Sequence, residues 1–262
     1  MKINFYKYHG TGNDFIMIDD RENVLDLSTS QVKNLCDRHF GIGADGLIRI
    51  LNKNGFDFEM VYYNSDGNLG SMCGNGGRCA AAFVKYLGMI ETEASFSAFD
   101  GPHFASIISV SPMLVKLKMN DVFQISKEGN SFVINTGSPH FITFVNSVEK
   151  IELVKMGREI RNSEKYVNEG INVNFVQIEN EGLKIRTYER GVEDETLSCG
   201  TGVTASVLAA VTAGLIPNKN ICHVETPGGK LKVHFNAVSN GFDQIWLEGP
   251  AEAVFSGVVE LS

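Results

Sequence analysis

The chain has 262 residues, 43% of them apolar, and a net charge of −8 from 31 acidic and 23 basic side chains. That size admits one large domain or two moderate ones, and the acidic balance argues against broad electrostatic binding to nucleic acid or anionic membrane. No stretch reaches the roughly 18 to 20 uninterrupted apolar residues of a membrane span, and Met1 to Asp20 lacks the apolar run of a secretory signal. Five cysteines, an odd number, do not make a disulfide framework. The expectations are a small-molecule partner, no nucleic-acid or membrane partner, and a cytoplasmic location that keeps the thiols reduced.

In chain order, Ile3 to Tyr8 and Phe15 to Asp19 read as strands on either side of a turn from His9 to Asp14. Ser28 with Gln31 three positions on is a capping box, which predicts a helix to about Asp37 with Val32 and Leu35 inward. The loop Gly41-Ile42-Gly43-Ala44-Asp45-Gly46 leads into strands Leu47 to Leu51 and Phe56 to Tyr63, and the latter delivers Asn64-Ser65-Asp66-Gly67. Next come Met72-Cys73-Gly74-Asn75-Gly76-Gly77-Arg78-Cys79 and the apolar run Ala80 to Leu87, stopped by Gly88. Strands Phe104 to Val110 and Leu114 to Met119 close the first half.

The second half repeats this order about 126 positions later. Thr136-Gly137-Ser138-Pro139-His140-Phe141 stands where Thr11 to Phe15 stood, and Ile151 to Ile160 answers the first helix. Asn172 to Ile178 and Leu183 to Glu189 answer the strand pair. Ser198-Cys199-Gly200-Thr201-Gly202 runs into Val203 to Ala213, stopped by Gly214, and strands Leu231 to Phe235 and Gln244 to Leu247 follow. A repeat of this length is a duplicated domain. The expected division is 1–119, completed by the C-terminal segment 250–262, and 120–249.

Each leading cysteine thus stands at the mouth of a buried helix, where backbone N–H groups and the positive end of the helix dipole favour anions. A thiol there ionises more readily and can act as a base, while a second thiol can act as an acid. If the two halves face each other across a cleft, one carbon could lie between two sulfurs. Two helix N-termini directed at one carboxylate would stabilise the charge that develops when an α-proton leaves.

His9-Gly10-Thr11-Gly12-Asn13-Asp14-Phe15, Asn64-Ser65-Asp66-Gly67, Met72-Cys73-Gly74-Asn75-Gly76-Gly77-Arg78, Tyr188-Glu189-Arg190-Gly191 and Ser198-Cys199-Gly200-Thr201-Gly202 resemble, in this order, the diaminopimelate epimerase family. The resemblance runs to about Gly249. It implies a pyridoxal-independent isomerase that interconverts LL- and meso-diaminopimelate on the bacterial route to lysine and peptidoglycan; the cysteine spacings, for their part, predict no metal, and the lack of a Walker lysine or a Rossmann Gly-x-Gly-x-x-Gly argues against a nucleotide cofactor, so that no cofactor is expected. The resemblance also implies an α/β (α+β) fold of two pseudo-symmetric domains, each a curved, mostly antiparallel sheet wrapped round a central buried helix, with the active site in the interdomain cleft. A homodimer is a further family-level expectation. Carried over by position, Cys73 and Cys199 are the two catalytic bases. Gly74, Asn75, Gly200 and Thr201 hold the reacting carboxylate, Asn13, Asn64, Asn172 and Arg190 bind substrate, Glu189 takes an ammonium, and His140 supports the site. Two positions depart from the pattern: Gly46 stands where some members carry Gln, and Ser138 where Asn is common.

Other readings of the same residues stay open. Asn13, Asn64 and Asn172 singly suit turns as well as ligand contacts, Arg190 could pair with Glu189, Glu193 or Asp194, and His140 could be a core histidine. Cys36, Cys79 and Cys222 read as structural thiols, and His39, His103 and His234 as structural histidines. A proline or hydroxyproline racemase shares the two-thiol chemistry, but that family typically carries His where Asn75 stands. Cys73 argues against an isomerase with an acidic base in place of the first cysteine. A non-catalytic amino-acid-binding module would have no need of both thiols, and a cysteine hydrolase would use one with a neighbouring His.

Overall fold

The strands Lys2–Gly10 (β1) and Asn13–Asp19 (β2) are joined by Thr11-Gly12 alone, in the computed structural model that describes residues 1–70, 72–180 and 182–261. Both linking residues have positive φ, 51° and 84°, the conformation that matches the twist of a two-residue hairpin. The turn expected from His9 to Asp14 is therefore shorter, because the ladder continues through the pairs His9 with Asp14 and Gly10 with Asn13.

The chain divides into two compact units, Met1–Leu117 with the segment from Gly249 onward, and Lys118–Glu248. In the first unit β2 runs parallel to Gly46–Leu51 (β3), and β3 antiparallel to Phe58–Asn64 (β4). The ladder goes on, parallel, to Glu93–Ala98 (β5), then antiparallel to Gly101–Val110 (β6) and to Met113–Lys118 (β7). In the second unit Ile125–Glu128 (β8) pairs antiparallel with Ser131–Asn135 (β9), and β9 with Pro139–Phe144 (β10). The order then repeats that of the first unit: β10 parallel to Asn172–Glu179 (β11), β11 antiparallel to Gly182–Glu189 (β12), β12 parallel to Ile221–Thr226, and antiparallel from there to Gly229–Val238 and Gly241–Pro250. A short strand, Asp194–Thr196 (β13), adds to β12, so the last three of these are β14, β15 and β16. Glu252–Glu260 (β17) flanks β1 in the first unit, as β8 flanks β9 in the second.

Helices make the parallel crossovers. Thr29–Cys36 (α1) lies between β2 and β3, and its capping box is formed: the Gln31 N–H donates to Ser28 Oγ at 3.3 Å and the Ser28 N–H to Gln31 Oε1 at 3.0 Å. Leu153–Arg161 (α3) takes the same place between β10 and β11, starting two residues later than expected because Glu152 is its N-cap. Gly74–Tyr86 (α2) and Gly200–Thr212 (α4) link β4 to β5 and β12 to β14. α2 packs against β1, β2, β3, β4 and β6, and α4 against β9, β10, β11, β12 and β15, so each helix forms the core of its unit. Phe83 and Val84, Val203 and Leu208 are among the fully buried residues of these helices. Each contributes about 1.5–3 kcal/mol by leaving water.

Both central helices start earlier than their apolar runs. The glycines after each cysteine are helical even though glycine costs about 1 kcal/mol relative to alanine there. Close packing accounts for them: a Cβ at Gly76 would lie 3.1 Å from Ile48 Cδ1, and one at Gly202 only 2.3 Å from Asn174 Oδ1. Sequence patterning did not anticipate β5, β8, β9, β10, β13, β14 and β17; of these β8 and β13 are only 4 and 3 residues long, β5 is built mainly of small and polar residues, and β10 begins with proline at the first position, where its missing N–H is tolerated. Among the described residues no helix is long and apolar enough to cross a membrane.

One buried ion pair ties β2 to β3. Asp20 is 1% exposed at its side chain and Arg49 8%; Arg49 Nε donates to Asp20 Oδ2 at 3.0 Å, and its other nitrogens reach Asn23 Oδ1 and the Tyr63 hydroxyl. Replacing Arg49 by Met should cost about 3–5 kcal/mol, because the Asp20 carboxylate is left buried without its partner. Urea unfolding checks this; a loss below about 1 kcal/mol, the range of an exposed pair, would contradict it.

Candidate active site

Each cysteine motif supplies the N-cap of its helix. Cys73 (φ −100°, ψ 129°) and Cys199 (φ −116°, ψ 107°) are both extended, and their carbonyls accept the first intrahelical bonds, from the Gly77 N–H at 2.7 Å and the Val203 N–H at 2.9 Å. The N–H groups of Gly74, Asn75 and Gly76, and of Gly200, Thr201 and Gly202, precede those bonds and point past the cysteine. No acidic side chain stands in the first turn of either helix to compete for that end. Such a terminus is suited to an anion.

In the first unit the structure brings Cys73, Asn13 and Asn75 together. Asn13 Oδ1 accepts from the Cys73 thiol at 3.5 Å and from Asn75 Nδ2 at 3.2 Å. The orientation of both amides follows from their outer partners. Arg78, a donor only, gives a hydrogen bond to Asn75 Oδ1 at 2.9 Å, and Asp45, an acceptor when ionised, takes one from Asn13 Nδ2 at 2.8 Å. Arg78 is wholly buried and also donates to the Gly74 carbonyl (3.2 Å), to the Pro250 carbonyl (3.4 Å) and to Thr11 Oγ1 (3.4 Å). Sequence reasoning left Arg78 and Asp45 out of the site. The signal was a lone charge inside a run of small residues, and an acid in a glycine-rich loop.

Behind Asn13, Asp14 binds Lys7 at 2.7 Å and Arg38 at 2.8 Å, and Arg38 also reaches Asp45 at 2.7 Å. Burial opposes ionisation of Asp14, but hydrogen bonds from Arg38 and Lys7 outweigh it and hold the carboxyl well below the usual range. Asn64 stands at the exposed end of β4 and, among the described residues, no hydrogen bond joins its side chain to the Cys73 cluster. A side chain at Gly46 would meet the Tyr62 ring at 2.5 Å and the Tyr63 carbonyl at 2.6 Å, so a larger residue has no room here.

In the second unit Cys199 lies 3.5 Å from Thr201 Oγ1, and Thr201 Oγ1 lies 2.9 Å from His140 Nε2. Burial, and then the charge of Arg190, lower the His140 pKa to about 3, so the ring is neutral at physiological pH. Its other nitrogen meets Asn174, a residue that sequence reasoning missed. A second group forms around Ser138. Its hydroxyl accepts from Asn172 Nδ2 at 2.9 Å and from Arg190 Nη2 at 3.5 Å, while Asn172 Oδ1 accepts from the Arg190 N–H at 2.9 Å. Glu189 Oε2 accepts from Thr196 Oγ1 at 2.9 Å. Of the acids near Arg190 in sequence, Glu193 is engaged otherwise: it pairs with Arg161 and accepts from the Tyr188 hydroxyl. Among the described residues the Arg190 guanidinium meets a carbonyl (Glu169, 2.8 Å) and the Ser138 hydroxyl, and no carboxylate.

The remaining thiols are buried, and burial pushes Cys36 up to about 12, Cys222 up to about 11 and Cys79 higher, which keeps them protonated. His103 pairs with Asp100 at 3.0 Å and His234 with Glu248 at 2.8 Å. Gly202 is held to its size by Asn174 and by the His140 ring, whose nearest atoms lie 3.2 Å from where a methyl group would stand. Gly202→Ala should therefore push Asn174 and His140 apart and cost about 1–3 kcal/mol by overpacking; an unchanged urea midpoint would contradict that.

The family model for diaminopimelate epimerase matches residues 5–113 and 132–254 of the chain. The diaminopimelate epimerase of Flavobacterium psychrophilum is 47% identical over 259 residues, spanning 98% of this chain and 100% of that one. The diaminopimelate epimerase of Chlorobaculum tepidum is 40% identical over 258 residues, 96% and 99% of the two chains. Among solved structures, a phenazine biosynthesis protein of the PhzF family from Bacillus anthracis superposes with a TM-score of 0.79 over 99% of both chains at 14% identity, a likeness of fold. With a family match over most of its length and relatives of this identity, the chain belongs to the diaminopimelate epimerase family.

Proposed function

We propose that this protein interconverts LL- and meso-2,6-diaminopimelate without pyridoxal or a metal, with Cys73 and Cys199 as the two bases acting on one α-carbon. The observation that carries the reading is the duplication of one device: in each unit a cysteine is the N-cap residue of a buried helix whose first turn holds no acidic side chain. One sulfur, as thiolate, takes the α-proton; the C–H bond breaks and an S–H bond forms. The other, as thiol, delivers its proton to the opposite face, so the configuration inverts and the two protonation states exchange.

The electron pair left by the proton spreads into the carboxylate. N–H groups of Gly74 and Asn75, and of Gly200 and Thr201, are suited to that developing charge, and they need no reorganisation when it appears. Asn64, Asn172 and Arg190 would bind the distal carboxylate, and Arg190 supports this because, among the described residues, its guanidinium has no carboxylate of the protein to neutralise it. Glu189 would take an ammonium, and Asn13 and His140 would support the two sulfurs. A lysine- and peptidoglycan-precursor pathway, a cytoplasmic location and a homodimer belong to the same reading.

Cys73→Ala and Cys199→Ala should each lower epimerisation of LL-diaminopimelate by at least about a hundredfold, the range of a lost general acid or base, with circular dichroism unchanged. Turnover within a few fold of the parent in either variant would overturn the two-base assignment.

A further inference from the structure

The protonation of His140 follows from groups that cannot change their role. Asn174 is fully buried, and its Nδ2 lies 3.2 Å from the Phe141 carbonyl and 3.1 Å from His140 Nδ1, while its Oδ1 lies 2.9 Å from Thr187 Oγ1. A carbonyl only accepts, so the amide must turn its NH₂ toward Phe141 and therefore toward the ring. His140 Nδ1 is then the acceptor, and in a neutral imidazole the single proton is on Nε2. That N–H faces Thr201 Oγ1 at 2.9 Å and donates to it. The Thr201 hydroxyl has thereby accepted, and the sulfur of Cys199 stands 3.5 Å from it. The Thr201 backbone is held as well, since its carbonyl accepts from Thr136 Oγ1 at 2.8 Å.

We infer that Asn174 and His140 are positioning residues that turn the Thr201 hydroxyl so that its proton is donated to the Cys199 sulfur. A donated hydrogen bond favours the anionic sulfur over the thiol and fixes the direction of its lone pairs. Two buried residues that need not touch substrate thus set how readily one base takes a proton. The arrangement belongs to Cys199: the Cys73 thiol faces the oxygen of Asn13, which accepts. The inference rests on the proposed reading only in giving Cys199 a part in proton transfer.

Two measurements made without substrate test it. In protein labelled with ¹⁵N-histidine, with the signal assigned by its loss in His140→Gln, the ring should show a protonated Nε2 and an unprotonated Nδ1; a protonated Nδ1 would overturn the inference. Iodoacetamide alkylation, followed for each cysteine by mass spectrometry, should slow about tenfold at Cys199 in Thr201→Val, the effect of one hydrogen bond to a charged group. It should return to within about twofold of the parent in Thr201→Ser, which restores the hydroxyl, while Cys73 in the same molecules reacts at its parental rate. His140→Met should slow Cys199 as Thr201→Val does, and His140→Gln, which keeps a donor near the Nε2 position, should slow it less. An unchanged Cys199 rate in Thr201→Val, or a Thr201→Ser variant as slow as Thr201→Val, would overturn the inference. If alkylation and ¹⁵N shifts follow these expectations but the parent protein does not act on diaminopimelate, the proposed function fails and the inference stands; the reverse result separates them the other way.

Discussion

The structure depends on burying a helix that begins with glycine. A helix N-terminus carries N–H groups without intrahelical partners, and a residue with a bulky side chain there would hold neighbouring strands away from it. At Gly76 and Gly202 a single added carbon would meet Ile48 or Asn174. Because these positions are bare, strands close round α2 and α4, and the start of each helix becomes a polar, positively biased end inside an apolar unit. The cysteine that caps it inherits that environment. Everything proposed about the chemistry begins with this packing constraint.

The supporting residues follow a common rule and differ in detail. In each unit an amide is oriented by a partner that can only donate or only accept: Arg78 and Asp45 around Asn75 and Asn13, the Phe141 carbonyl beside Asn174. Such partners remove the ambiguity of an amide or imidazole, so the groups nearest the sulfurs present a defined polarity. The difference lies in what each sulfur meets, an accepting amide oxygen at Cys73 and a hydroxyl turned by histidine at Cys199. A duplicated fold has thus acquired two unlike environments for like residues.

Much of this was legible in the sequence, for physical reasons. The stop glycines, the capping box at Ser28 and the repeat offset located the helices and the duplication, because each reflects a local backbone requirement. Strands such as β5 and β13 were not visible, since β5 is built mainly of small and polar residues and β13 is only three residues long. The early start of α2 and α4 was masked by glycine, whose low helix propensity is overruled by packing that only the fold reveals. Arg78 and Asn174 escaped for a related reason: the role of a buried polar residue is set by partners distant in sequence, such as Pro250 for Arg78 and His140 for Asn174.

The proposed chemistry turns on removal and return of an α-proton by the protein's own groups. The direct measurement is incubation of the reduced, purified protein with LL-diaminopimelate in deuterium oxide, with no added cofactor, following the α-proton and the appearance of the meso isomer by NMR. The expected result is α-deuterium incorporation together with epimerisation. Exchange with proline or hydroxyproline in its place, or no exchange with any of the three, would contradict it.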